Sequence, residues 1–469
     1  MKRDLLPSNA FPAWAHFNDV KYNGVVVKDF GPPPDGKGFA VVAERDIEAL
    51  KTDILKDPLM FVPKDLILSL ESVNDHAKSD KHLRELLDAA GDIARTSRGA
   101  ILLYLLLQIT ASSPNRLQKV GVSGPWTDSS SHDLDSGRAE SVEWYFLGAV
   151  SAKLSRMTRE FDHIRASTEP IPWCQAVWWD DTGCVLTLDE WLLVDAWYRS
   201  RALSFAVAGD AMVACIDMAN HAPGEQTSVY FDRDEEGNAI LLLPHNRSFN
   251  GGDEVTISYG DAKSASETLF SYGFIDPDMR ATSGMTLDLE VPEDDPLKEA
   301  KDAVSTVEAA VRISATADST KWDSLYIWIA CVNEEDGLQF HVLQTTDGAR
   351  ELRVYWKEND ITEDSGRLPD LLRNEESWEI FQLRAVAILE ARLAEQSRRL
   401  ANSEDWAQGL EVANGISYGA WIHATRLRRL ENDLLERAAH DLESEKEELL
   451  KTSTVQRYLG LAAQAGSSR

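Results

Sequence analysis

Residues 211–276 constrain this chain more than any other stretch. An apolar run, AMVACI, gives way to the polar signature IDMANH, so Asp217, Asn220 and His221 stand where a buried segment opens into a loop. Thirty-eight residues after His221 a second run, EVTIS, ends on Tyr259-Gly260, and thirteen residues further on comes Tyr272-Gly273-Phe274. The short β-branched run EVTIS predicts a strand that ends on the tyrosine.

Upstream, residues 25–47 read VVVKDFGPPPDGKGFAVVAERDI, two β-branched runs around a loop rich in Gly and Pro. This predicts strand–loop–strand. Gly36 and Gly38 bracket Lys37 ahead of Phe39, and glycines let backbone N–H groups approach a ligand closely. The same residues also suit an ordinary hairpin turn. Residues 75–205 carry apolar side chains at three- and four-residue spacing in KHLRELLDAAGDI, RGAILLYLLLQIT and EWYFLGAVSAKLSRMTREFDHIR, the pattern of helices. Thr187 and Glu190 make a capping-box pattern before EWLLVDAWYRSRALSF. After one more strand-like stretch and an acidic hinge, TSGMTLDLEVPEDD, the remainder reads as helical. In its last long helix Leu427, Leu430, Leu434, Leu442 and Leu449 mark the packed side.

A length of 469 residues predicts two or three domains. The longest apolar run, ILLYLLLQI, is far shorter than the roughly 20 residues a bilayer span needs. The N-terminal residues lack a continuous apolar core of a signal peptide, so no membrane association is expected. None of Cys174, Cys184, Cys215 and Cys331 forms a C-x-x-C pair, and no Cys/His group has zinc spacing. The expectation is reduced thiols, no metal, and a cytoplasmic and/or nuclear protein. The net charge of −30, about −13 of it after residue 290, repels nucleic acid and favours basic protein partners; it also serves solubility. Nucleophile-elbow, phosphate-loop and dinucleotide-binding motifs are missing.

The order of features resembles the SET domain, in the branch of Rubisco large-subunit and ribosomal-protein lysine methyltransferases. The resemblance is carried by Gly36–Phe39 with the charged turn and Asp46-Ile47 after it, by Ser200-Arg201, and by Asn220-His221. Tyr259-Gly260 and Tyr272-Gly273-Phe274 complete it. It implies an α+β chain: a β-rich SET fold over 1–290 with a helical insertion at about 75–205, then an all-α, substrate-binding-like domain over 291–469. It also implies S-adenosylmethionine as cofactor and protein-lysine N-methylation as activity. The cysteine-rich zinc regions of many histone-directed members are missing, which points to a non-histone substrate, such as a ribosomal or other basic protein. Two departures stand out. After Trp126 the chain is polar and Ser-rich where the family is Pro-rich, and Leu203 replaces a frequent aromatic. Histidine methylation on the same scaffold, or a SET-fold binding protein without activity, remain open.

Methyl transfer to lysine needs a neutral amine, although free lysine has a pKa near 10.4. It also needs the nitrogen, methyl carbon and sulfur held in line. By the resemblance, Tyr259 lies beside the transferring methyl and orients the amine; with an ordinary tyrosine pKa of about 10 it is no strong base. Gly36, Lys37, Gly38, Phe39, Asn220, His221 and Phe274 match cofactor-binding positions, Phe274 and His221 on the adenine side. Arg201 matches the arginine that pairs with the cofactor carboxylate, a contact suited to a guanidinium. Asp217, Tyr230 and Tyr272 match positions that line the lysine channel. A satisfied tyrosine at a strand end, a loop-capping aspartate and core aromatics are the structural alternatives for these residues.

Overall fold

The two β-branched runs around the Gly-Pro loop form an antiparallel hairpin, with Val25 opposite Ala43 and Asp29 opposite Phe39. The structure is a computed structural model that describes residues 10–31, 38–48, 58–111, 149–180, 186–206, 209–245, 247–260, 263–292, 294–316, 318–344, 350–410 and 418–466. Gly36, Lys37, Cys184 and the Ser-rich 126–144 stretch lie outside these residues. The chain divides into two units, the first made of Met1–Glu140 with Val150–Asp261 and the second mainly of Ala262–Arg469. The composition shift at residue 291 falls inside the second unit.

In the first unit, α1 (Phe11–Phe17), β1 (Lys21–Tyr22), β2 (Val25–Asp29), β3 (Phe39–Ala43), β4 (Met60–Val62) and β5 (Ile67–Ser69) come first. Helices α2 (Leu70–Ser79), α3 (Lys81–Ala90), α4 (Ser97–Ala111), α5 (Ala149–Thr168) and α6 (Leu188–Arg201) follow. Strands β6 (Ala202–Phe205), β7 (Gly209–Val213), β8 (Tyr230–Arg233) and β9 (Ala239–Leu242) close the order. Among the described residues the strands make three small antiparallel sheets, β1-β4-β9-β8, β2-β3 and β5-β7-β6. Because β5 pairs with β7, Leu68 opposite Met212, the helices between them are inserted between neighbouring strands. Pro63 leads into a short 3₁₀ turn, Lys64–Leu66.

The insertion packs because its central helix is apolar on every side. Ile101, Leu102, Leu103, Leu105 and Leu106 of α4 are all fully buried. A helix of that pattern must be surrounded, and each such side chain contributes roughly 1.5–3 kcal/mol on burial. One buried charge centre ties α4, α5 and α6 together. Asp195 accepts from Arg98 Nε at 2.8 Å and Arg199 Nε at 2.6 Å, while Arg98 also grips Glu160 at 3.0 and 3.2 Å. Helix α6 is capped by Thr187, whose N–H donates to Glu190 at 2.9 Å, and it ends on Arg201.

In the second unit, α7 (Ala265–Tyr272) and β10 (Gly284–Asp288) lead to α8 (Lys298–Val304), β11 (Ala310–Ala315), β12 (Thr320–Asp323) and α9 (Tyr326–Ala330). Strands β13 (Leu338–Gln344), β14 (Arg350–Trp356) and β15 (Asn359–Asp360) follow, then α10 (Leu368–Leu372), α11 (Trp378–Leu410), α12 (Tyr418–Lys451) and α13 (Ser453–Gly466). The class is α+β, and the described residues from Leu368 on are mainly helical. Between residues 310 and 360, expected as helix, the described residues instead carry β11, β12 and the sheet β13-β14-β15, with the short α9 between them. Little apolar alternation marks β13, where only Leu338 is buried and Val342 and Leu343 are exposed. Leu427, Leu430, Leu434, Leu442 and Leu449 of α12 are all buried, as their spacing predicts.

Candidate active site

Two distant parts of the first unit are joined by residues 253–258. EVTIS is expected as a strand; it is instead an extended segment held by single bridges on both sides. Val255 N–H donates to Val41 O at 2.8 Å, and Glu254 bridges Val42. On the other side Ile257 N–H donates to Asn220 O at 2.9 Å, and His221 pairs with Ile257 in parallel. The segment thus serves as a clasp between the N-terminal hairpin and Asn220-His221.

The clasp delivers Tyr259 onto His221. The rings stack with centroids 5.2 Å apart and planes 20° apart. Tyr259 N–H donates to His221 Nδ1 at 3.0 Å, and the same ring nitrogen lies 3.3 Å from Ile257 O. The Tyr259 hydroxyl donates to Ala219 O at 2.8 Å. Both ends of Tyr259 are therefore fixed by the IDMANH segment. Asn220 Nδ2 donates to Glu254 Oε1 at 2.7 Å, so Asn220 is held by a carboxylate of the clasp. Glu254 is a site residue that the sequence reading missed; a carboxylate at the head of a β-branched run was its one signal.

Arg201 and Asp217, read separately from the sequence, form one ion pair, Nη1 to Oδ2 at 3.2 Å. Arg201 Nη1 also lies 3.7 Å from Met218 Sδ. The Asp217 side chain is 3 % exposed. Burial pushes its carboxyl above the usual range, against the pull of Arg201. Its second oxygen, Oδ1, is buried without a hydrogen-bond partner among the described residues. Such an atom is costly unless a ligand completes it.

Beneath this pair the backbone is bent hard. Cys215 sits at φ 71°, ψ −45°, and Ile216 N–H donates to Ala214 O at 2.9 Å across it. This is a three-residue γ-turn in a region that a side chain enters only at a cost of order 1–3 kcal/mol. The turn ends β7 abruptly and starts the 3₁₀ turn Ile216–Met218 that carries Asp217. Burial pushes the Cys215 thiol up to about 12, and the Tyr22 hydroxyl bonds to it. Tyr22, from β1, is raised by burial and by Cys215 and Asp217. Neither Tyr22 nor the turn was foreseen.

At the hairpin, Gly38 N–H donates to Gly31 O at 2.7 Å and Phe30 N–H to Gly38 O at 2.9 Å. Gly38 has φ +72° and a Cβ there would meet nothing within 4 Å, so conformation, not crowding, selects glycine. Phe39 begins β3 with its ring 6.2 Å from Phe11. Tyr230 opens the edge strand β8 and is 50 % exposed. Tyr272 and Phe274 belong to the second unit, where their rings lie 6.3 Å apart. Between them Gly273 caps α7 in the left-handed conformation, φ 81°, its N–H on Leu269 O at 2.8 Å. Lys263 Nζ stands 5.8 Å from the Tyr272 ring centre.

No protein-family model matches the chain. Over 208 residues it is 25% identical to SET domain-containing protein 8 of Schizosaccharomyces pombe, a stretch covering 44% of this chain and 47% of that protein. The chain thus matches about half the length of that relative. Among solved structures, the SET domain of LSMT bound to methyllysine and AdoHcy aligns with a TM-score of 0.59 and 19% identity, over 98% of this chain and 97% of that one. The structure of Rubisco LSMT bound to AdoMet aligns with a TM-score of 0.57 and 18% identity, over 97% of each.

A clasped Asn-His segment with a tyrosine stacked on it, set among small antiparallel sheets and a helical insertion, defines a protein of the SET fold. Within that fold the chain is similar to the LSMT structures over nearly its whole length.

Proposed function

We propose that this chain is an S-adenosylmethionine-dependent protein-lysine N-methyltransferase acting on a non-histone, basic protein of the cytoplasm or nucleus. The observation that carries the reading is the Tyr259 hydroxyl. Its proton is directed at Ala219 O, so the oxygen presents lone pairs to a donor. An amine N–H placed there is oriented with its own lone pair turned away, and no strong base is required of the tyrosine. Stacking on His221 and the Nδ1 hydrogen bond keep the ring from swinging.

Arg201 and Asp217 fit the amino-acid end of such a cofactor. A guanidinium suits its carboxylate, and the uncapped Asp217 Oδ1 suits its ammonium. When bound, the cofactor supplies a sulfonium methyl group and a positive charge that favours the neutral form of a nearby amine. The LSMT structures bound to AdoMet, AdoHcy, sinefungin and methyllysine support the reading, as does the relative in fission yeast. The net charge of −30 supports a basic partner.

The test is mass spectrometry of cell-extract proteins incubated with the full chain and methyl-labelled S-adenosylmethionine. The expected result is label on lysine of a basic protein. Label on histidine, or no label with calorimetry showing no cofactor binding to folded protein, sinks it.

A further inference from the structure

We propose that the outer edge of β13 is a self-association surface, on which a second copy of this chain lays its own β13 antiparallel about a two-fold axis. The inference is independent of the methyltransferase reading. β13 (Leu338–Gln344) stands at one end of the sheet β13-β14-β15, so one side of its backbone has no neighbouring strand among the described residues. Its pairing with β14 runs without a bulge from Leu338 opposite Trp356 to Gln344 opposite Arg350.

Hydrogen bonds at the sheet's margins fix which backbone groups face outward. Lys357 N–H donates to Gly337 O at 2.8 Å, which continues the ladder with β14 and makes the odd-numbered residues of β13 the inward, hydrogen-bonded ones. On the far side of β14, Ile361 N–H donates to Val354 O at 3.0 Å and Val354 N–H to Thr362 Oγ1 at 2.9 Å. Val354 thus turns both groups away from Phe340, the residue opposite it. Phe340 and Val342 therefore direct their N–H and C=O groups at the open edge. Leu338 shares this orientation, and its N–H is taken by Asn333 O at 3.2 Å.

Natural edge strands are blunted by charge, proline, a bulge or a covering element. β13 reads LQFHVLQ, with no Asp, Glu, Lys, Arg or Pro. Val342 is 65 % exposed and Leu343 43 %, and successive side chains point to opposite faces, so neither face is covered there. Neutrality selects the occupant. On a chain of net charge −30 this strand offers no carboxylate to a basic partner. An identical uncharged strand meets it with no like charges opposed. Full overlap of two copies sets Phe340 against the partner's Val342, and each such pair exchanges both of its N–H···O bonds. The same register sets His341 against the partner's His341 in a non-hydrogen-bonded pair, with Cα atoms about 4.5 Å apart.

Sedimentation velocity of the full chain over a concentration series tests this. One pair of edge strands is a small interface, so micromolar association is expected. It should tighten as salt is raised to ~0.5 M and the repulsion between the two acidic chains is screened. Val342→Pro removes an outward N–H and leaves the ladder with β14 intact. It should weaken the dimer at least ~10-fold while the circular-dichroism spectrum stays unchanged. Under mild oxidation His341→Cys should give a disulfide-linked dimer, with wild type as control for the native cysteines. Gln339→Cys should not, because its two copies lie roughly 14 Å apart in this register. Wild type that stays monomeric up to ~100 μM, whether its edge is bare or takes a strand of another protein, overturns the proposal. So does a dimer indifferent to Val342→Pro, or cross-linking by Gln339→Cys as fast as by His341→Cys. If Val342→Pro does not fold, the two cysteine variants decide alone.

Discussion

Tyr259 gives its hydroxyl proton to the main-chain oxygen of Ala219 at 2.8 Å while its own N–H rests on His221. The tyrosine is thereby tied at both ends to residues 38 and 40 positions earlier. Tyr259→Phe keeps the ring stack and removes only the oxygen. Methyl transfer in single turnover should fall about 100-fold. Stability in urea should fall by only about 1 kcal/mol, the value of one hydrogen bond. An equal loss of activity and folding would mean the hydroxyl is structural.

Arg201 shields a buried carboxylate, so Arg201→Met should cost about 3 kcal/mol. Asp217→Asn should cost less, and the double variant less than the sum of the two, in urea melts analysed as a double-mutant cycle.

The Asp217 carboxyl is raised above its ordinary 3.8. A raised carboxyl keeps its proton in the folded chain after the unfolded chain has lost it. Its contribution to stability is therefore greatest below the ordinary value and declines as pH rises through the window above it. Urea melts over a pH series should show wild type losing stability relative to Asp217→Asn from about pH 4 upward, then levelling off.

Asp195 shows the opposite sign. Burial raises it, but Arg199 and Arg98 outweigh that and hold it below the ordinary value. Its stabilisation is full above the ordinary value and is lost as pH falls through the folded one. Asp195→Asn should cost about 3 kcal/mol near neutral pH, with the gap to wild type closing in acid.

Cys174, Cys215 and Cys331 are buried, and burial pushes each thiol up to about 12. Of the four cysteines, no more than one should react with a thiol-specific dye in the native state near pH 8, and all four in denaturant.

The sequence made the leucine seam of α12, the inserted helices and the β2-β3 hairpin legible, because each repeats one physical pattern over many residues. It also pointed to Asn220, His221 and Tyr259, each beside a run that buries itself. It did not show that Arg201 and Asp217 are partners, nor that Glu254 holds Asn220. Those pairings depend on where the chain crosses itself, and spacing carries no trace of that. The Cys215 turn was hidden because nothing in a cysteine announces a positive φ. Strand β13 was missed because a run with mostly exposed side chains lacks the alternation that betrays a strand.

The clasp at residues 253–258 sets a clock on synthesis. Val41 leaves the ribosome some two hundred residues before Val255, its hydrogen-bond partner. At the usual ~5–20 residues per second, the N-terminal hairpin waits roughly 10–40 s for the segment that fastens it to Asn220-His221. During that interval its outer edge is open. A nascent chain that stalls before residue 254 therefore lacks the tie between that hairpin and Asn220-His221.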